Sequence, residues 1–349
     1  MIGTLYFAIP GNLATRSGGY GYDRRMIAEL GALGWQVNHL PLPGGFPQPD
    51  AACLAETARL LAGLPDGALV LVDGLAFGAM PEIAAAEAER LRLVALVHHP
   101  LALETGLDAA TAAALAASER RALGFAREVV TTSPTTSREL VANFAVANDR
   151  LAVVVPGTGA AAKAQGSSND VPTILSVGSL IARKDHATLA DALARIRDLS
   201  WHCRIVGDEI ADPATAEALR SRVVELGLGD RLTLCGASEA IDREYAAADI
   251  FALASRYEGY GMVFAEALAH GLPIVGCAGG AVPEVVPETA GILVPPGDAA
   301  GIADALRLLL IQPERRRAMG DAAYAAGQVL PSWRQSAGTL SHILTRAMA

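Results

Sequence analysis

The sequence predicts an α/β protein made of two Rossmann-like, doubly wound parallel-sheet domains, and three observations carry that prediction. Short apolar and β-branched runs alternate with Ala-rich helical stretches along nearly all 349 residues. The runs stay apolar throughout instead of alternating in polarity, which marks parallel strands covered by helices on both faces. The pattern then occurs twice, on either side of a small, polar stretch at Ala160–Pro172 that reads as a linker. Length agrees, since the chain is about two domains of roughly 150 residues each.

In the first half, strands are expected at Thr4–Ile9, Gln36–Leu42, Leu69–Val72, Leu93–Val97, Val129–Thr132 and Ala152–Val155. The second half repeats them at Thr173–Val177, His202–Val206, Arg231–Leu234, Ile250–Ala254, Pro273–Gly276 and Ile292–Val294. Right-handed crossovers place helices on both sides of each sheet. The expected domains are residues 1–160 and 172–330, with a helix over about 331–349 returning to the first. Such sheets bind ligands beyond the carboxyl ends of their strands, so the two domains are expected to face a central cleft.

Composition narrows the function classes. The chain is 52% hydrophobic, 19% charged and carries a net charge of −9, which weakens any reading based on nucleic acid or acidic lipid. The start, MIGTLYFAIPGN, reads as a first strand and not as a signal peptide. No stretch of about 20 residues is apolar enough to span a bilayer, so no integral membrane segment is expected. Cys53, Cys203, Cys235 and Cys277 form no CxxC pair, so neither a disulfide framework nor a zinc site is expected. A cytoplasmic protein follows, with attachment to the inner membrane face left open. HExxH, GxSxG and P-loop motifs are absent from the sequence.

Residues that directly follow strands carry the chemistry. In Ser255–Gly271, SRYEGYGMVFAEALAHG, Glu258 falls in a strand-to-helix turn where Gly259 and Gly261 let the backbone approach a ligand. With a helix starting near Met262, its amides and dipole suit a diphosphate, and Glu266 lies about one turn further on. Two carboxylates would repel that anion unless they bind sugar hydroxyls while the amides hold phosphate, which describes a nucleotide-sugar site. Two solvated glutamates beside a helix start fit the local pattern equally well. In Ser176–His186, Arg183 and Lys184 are expected to open a helix and clamp diphosphate charge. The chain's two lysines are Lys163 and Lys184, so a lysine at this position hints at a point-charge role.

Gly18 and Gly19, in Ser17–Arg25, permit close approach to a phosphate or an acceptor. A dinucleotide-binding protein has the same glycines, but it also wants an acidic residue closing the second strand. Here that strand runs into His39-Leu-Pro-Leu-Pro-Gly-Gly, which counts against NAD. His98 and His99 follow the strand Leu93–Val97, and a core or loop histidine is the plain alternative for either. The Arg24/Arg25, Arg120/Arg121 and Arg315–Arg317 groups read as solvated helix faces.

The Glu-x7-Glu block with its internal Gly-Tyr-Gly, ending in EALAHGLPIVG, resembles the signature of the family-4 retaining glycosyltransferases of GT-B fold. The Gly-rich first loop, the RK element and TAGILVPPGD extend the resemblance over most of the chain. It implies a metal-independent hexosyltransferase that uses a nucleoside-diphosphate sugar, of UDP or GDP type, as co-substrate and needs no cofactor. By the resemblance, Glu266 binds ribose hydroxyls, Glu258 faces the donor sugar, and Gly259, Tyr260, Gly261, Met262 and Val263 contact sugar and phosphate through their backbone. The Cys235–Ser238 backbone meets the base, and a histidine lies beside the transferred sugar, His98 matching best and His99 second. Glu104 is the weaker candidate for an acceptor contact. One departure is Ser179, where many relatives have Arg directly after the strand glycine, leaving Arg183 as the replacement. The acceptor is a small molecule, a glycan or a lipid-linked group, and the oligomeric state is not legible. A GT-B nucleotide-sugar epimerase and a catalytically silent nucleotide-sugar-binding protein remain as alternatives.

Overall fold

The computed structural model describes residues 2–167 and 171–349. Two six-stranded sheets, every pair parallel, form the centres of two units. The first contains β1 (Thr4–Pro10), β2 (Gln36–Leu42), β3 (Leu69–Asp73), β4 (Arg92–Val97), β5 (Glu128–Thr131) and β6 (Leu151–Val153), in the order β2-β1-β3-β4-β5-β6. The second contains β7 (Thr173–Val177), β8 (His202–Val206), β9 (Leu232–Leu234), β10 (Ile250–Leu253), β11 (Ile274–Cys277) and β12 (Gly291–Val294), in the order β12-β11-β10-β7-β8-β9. The α/β, doubly wound fold class read from the sequence is the one observed. Strand order reverses between β1 and β3 in one sheet and between β7 and β10 in the other, the places where such sheets bind ligands.

Apolar side chains on both faces explain why these runs became strands. Leu5, Phe7, Ile9, Leu69 and Leu71 enter one cluster with Met26, Leu30, Leu340 and Leu344. Their neighbours Ala8, Val70 and Val72 enter the opposite cluster with Leu61, Phe77, Leu123 and Leu140. Unit 2 is held by a core that includes Ile174, Ile205, Ile250, Leu189, Trp201 and Leu306.

Unit 1 comprises Met1–Gly157 and Pro331–Ala349, and unit 2 comprises Thr158–Leu330. The stretch read as a linker, 160–172, belongs to unit 2 instead, apart from residues 168–170, which lie outside the described residues. Backbone pairing is the reason. Ala164 N–H donates to the His270 carbonyl (2.7 Å), Gln165 N–H to the Ala246 carbonyl (3.0 Å), and Ser167 N–H to Asp249 (3.2 Å).

The helix Trp333–Met348 closes unit 1. Ser332 and Gln335 form a capping box at its start, Trp35 Nε1–H donates to Ser341 Oγ (2.8 Å), and Arg346 grips Glu128 with two hydrogen bonds (2.6 and 2.7 Å). Leu340 and Leu344 are fully buried. Leu340→Ala should therefore cost unit 1 about 2–5 kcal/mol, read as a lowered urea midpoint by tryptophan fluorescence. A midpoint equal to that of the parent would mean the helix contributes nothing to that core.

Candidate functional site

In unit 2 the site begins where β7 ends. Gly178 N–H pairs with the Val206 carbonyl (3.0 Å) and Leu180 N–H with the Asp208 carbonyl (2.8 Å), which draws the loops after β7 and β8 together. Gly207 has to be glycine, because a Cβ there would run into the Gly178 carbonyl. Arg183 and Lys184 lie in a 3-10 turn, Ala182–Lys184, and do not open the helix as the sequence led us to expect. Asp185 explains the difference: at φ +48° it turns the chain and caps the helix His186–Ala194 by accepting from Thr188 N–H (3.4 Å).

After β10, the segment 255–261 leads into the helix Met262–Ala269, which starts where the Gly-Tyr-Gly pattern placed it. Gly261, at φ +97°, occupies the cap position, and no side chain caps this helix. Its first turn therefore keeps the positive end that attracts anions. Met262 and Val263 are half-buried there, as is Gly259, while Tyr260 is buried.

The two segments meet at Glu258, which is only 5% exposed. Lys184 Nζ donates to Glu258 Oε1 (2.7 Å), and the Arg183 guanidinium donates to Glu258 Oε2 (3.3 Å) and to the Tyr257 carbonyl (3.0 Å). Arg256 N–H donates to the Arg183 carbonyl (2.9 Å), and the Arg256 side chain pairs with Asp185 at 2.9 Å. On the far side, the Glu258 carbonyl accepts from Ala281 N–H (2.9 Å) beside Gly280, at φ +61°. Burial alone would raise the Glu258 carboxyl, but the Lys184 and Arg183 charges outweigh it and hold it below the usual carboxylate range. The reading of Glu258 as a solvated glutamate is therefore wrong. Glu266 is half-buried and accepts from the Tyr245 hydroxyl (2.8 Å), while the Tyr245 ring stacks on His270 at 5.0 Å.

Unit 1 brings together residues that are far apart in sequence. Gly18 and Gly19 lie inside the first turn of the helix Gly18–Ala32, which Ser17 caps, and so they are not loop residues. His98, after β4, stands beside Gly19 and edge-on to Tyr22 at 5.1 Å. Its Nε2 lies 3.2 Å from Asp23 Oδ1 and 3.5 Å from Asp73 Oδ2. Asp23 is fully buried, and Asp73, 2% exposed, uses its other oxygen to cap the helix Gly74–Phe77 through Leu75 N–H (2.7 Å). Burial alone would lower the His98 imidazole, but the two aspartates override it and lift it to about 10. Asp23 is raised in turn, first by burial and then by the Asp73 charge. The ring nitrogen thus stands between two carboxyl groups. His99 instead faces Glu104, at 3.9 Å.

Neither Asp23 nor Asp73 stood out in the sequence. The only available signal was positional: Asp23 lies within the Gly-rich motif, and Asp73 is the last residue of a strand at the switch in strand order.

Comparison with known proteins points to a glycosyltransferase. Residues 159–326 match the family described as "Glycosyl transferases group 1". That match and the similarities below support a glycosyltransferase of GT-B type. It is 28% identical over 323 residues to the MMP alpha-(1->4)-mannosyltransferase of Mycolicibacterium hassiacum, a match covering 87% of this chain and 77% of that protein. It is 33% identical over 175 residues to the GDP-mannose-dependent alpha-(1-6)-phosphatidylinositol monomannoside mannosyltransferase of Mycobacterium tuberculosis, where the match covers 47% of this chain and 44% of that one. Of that second relative, the chain thus spans less than half the length. Sucrose-phosphate synthase from Thermosynechococcus elongatus shares the fold, with TM-score 0.82, 22% identity and 97% of each chain covered. Among the described residues of this glycosyltransferase, no helix is long and apolar enough to cross a membrane.

The floor of the unit 2 site carries a pH liability. His186 is buried between Ser176 Oγ (3.4 Å) and the Gly178 carbonyl (3.2 Å), and burial above all holds its imidazole down to about 4. A lowered histidine contributes stability that is fully present above its ordinary value near 6.5 and is lost as pH falls through the folded value. Calorimetry should show unit 2 melting progressively earlier between about pH 6.5 and pH 4, with His186→Gln flattening the trend.

Proposed function

We propose that this protein transfers a hexosyl group from a nucleoside-diphosphate sugar to a hydroxyl acceptor, with retention of anomeric configuration. The observation that carries this reading is the joining of Arg183, Lys184 and Glu258 beside the uncapped start of the helix Met262–Ala269. Two cations and one carboxylate leave a positive charge in excess, next to a helix end that also favours anions. A leaving diphosphate needs that environment as charge develops on it. Lys184 has three N–H donors, and its bond to Glu258 occupies one while fixing where the others point.

The remaining parts have matching tasks. Glu266, oriented by Tyr245, accepts from ribose hydroxyls; Gly259, Tyr260, Gly261, Met262 and Val263 offer backbone to phosphate and sugar. In unit 2 Glu258 faces the donor sugar, and in unit 1 His98 offers a hydrogen bond to a sugar hydroxyl. As the diphosphate departs, the acceptor hydroxyl attacks from the same face and the departing phosphate takes its proton. Both mannosyltransferase relatives favour a mannosyl donor, and the GDP-mannose dependence of one makes GDP-mannose the first donor to try, with UDP-sugars next. The acceptor is a small molecule, a glycan or a lipid-linked group.

A thermal-shift panel of GDP, UDP, ADP and their sugar conjugates, with NAD as control, tests the donor. Ligand at a hundredfold over its dissociation constant should add about 2.7 kcal/mol, and a shift with NAD alone overturns the reading. Lys184→Ala should lower turnover at least a hundredfold, because one charge clamp on a developing anion contributes about 3 kcal/mol. Turnover near that of the parent would remove Lys184 from the phosphate site.

A further inference from the structure

The cluster in unit 1 holds more than a histidine beside a sugar. Its three groups come from three elements: Asp23 from the helix Gly18–Ala32, Asp73 from the end of β3, and His98 from the end of β4. The Thr132 hydroxyl, after β5, donates to the His98 carbonyl (3.2 Å), so the backbone beneath the ring is fixed as well. Both carboxylates stand on the Nε2 side of the ring, at 3.2 and 3.5 Å. One acceptor would be enough to orient a neutral imidazole. Two buried carboxylates at one ring nitrogen instead favour a ring that carries charge, and that ring has a second N–H, on Nδ1.

We propose that Asp23 and Asp73 are positioning residues that keep His98 doubly protonated, with Nε2–H turned to the carboxylates and Nδ1–H left to donate to a hydroxyl of a neutral sugar. The last step rests on the transferase reading; the state of the ring does not. Charge sets the ligand class. With Asp23 raised by burial and by the Asp73 charge, the cluster has no positive charge in excess to attract phosphate or carboxylate groups, while still offering a charged hydrogen bond. Hydroxyls of an uncharged hexose fit it, and a uronic acid does not. The other titratable groups packed near the ring do not compete for its proton. Tyr20 donates to the Pro10 carbonyl (2.7 Å), Tyr22 donates to the Val154 carbonyl (3.2 Å), and burial raises both phenols. His99 and Glu104 face each other.

The test is an NMR titration of the full chain labelled with 13C-histidine, with the His98 signal assigned by its loss in His98→Gln. His98 should stay charged from pH 6 to pH 8.5, and Asp73→Asn or Asp23→Asn should lower its midpoint by at least two pH units. Asn at position 73 can still cap the helix Gly74–Phe77, so that variant is expected to fold. A midpoint in the ordinary histidine range in the parent, or one unmoved by both substitutions, overturns the proposal. With a sugar donor in hand, Asp73→Asn should lose at least twofold more kcat at pH 8 than at pH 6. An equal loss at both pH values would reduce Asp73 to a packing role and overturn its part. If His98 proves charged while no nucleotide sugar is bound or consumed, the transferase reading fails and the assignment of the ring stands.

Discussion

The bond from Lys184 to the buried carboxylate of Glu258 is the contact on which unit 2's site depends. It ties the turn after β7 to the turn after β10, the two strands between which the sheet reverses order. The same two turns are joined again by Arg183 at the Tyr257 carbonyl, by Arg256 N–H at the Arg183 carbonyl and by the Arg256–Asp185 pair. Its purpose is not chiefly stability. Desolvating a buried ion pair costs roughly what the attraction returns, so well-packed apolar residues would stabilise the fold as well or better. What an apolar replacement could not provide is a cation held still, next to a helix start that no side chain caps.

Unit 1 uses the same device at its own reversal of strand order, with different residues. Asp73 ends β3, next to β1 in the sheet, and its two oxygens serve two tasks: one caps a helix and the other faces His98. In both units a buried ion pair fixes the direction of a side chain at the carboxyl end of the sheet, where backbone geometry alone would leave a flexible loop. The balance of charge differs. Arg183, Lys184 and Glu258 sum to an excess of positive charge, while Asp23, Asp73 and charged His98 leave none. One suits a diphosphate and the other an uncharged, hydroxyl-rich group.

Much of the fold was legible because parallel strands buried on both faces leave an unbroken apolar signal. Leu69–Val72 and Leu93–Val97 needed only one more residue each, Asp73 and Arg92. The segment 160–172 was not legible as part of unit 2, since its small and polar side chains say nothing about where its backbone pairs. Arg183 and Lys184 follow β7, but in a 3-10 turn and not at a helix start. A helix was expected there because helix propensity does not reveal that Asp185 adopts a left-handed conformation. Glu258 and Glu266 were visible through their spacing, yet the burial of Glu258 was not, because its partners lie some 75 residues away. Asp23 and His98 are likewise separated by 75 residues, and no local pattern joins them.

That last separation explains why the Gly-rich segment is ambiguous when read alone. Gly18 and Gly19 suggest a phosphate loop, but in the folded chain they form the first turn of a helix whose sixth residue, Asp23, is an anion facing His98. A phosphate drawn to that helix start would approach two carboxylates, with a single imidazolium to offset them. Gly19 stands against the His98 ring, where a Cβ would lie 3.5 Å from Cδ2, an ordinary contact distance. In the folded chain, then, the Gly-rich motif packs against the histidine, while the cations and the uncapped helix start lie together around Lys184 and Glu258.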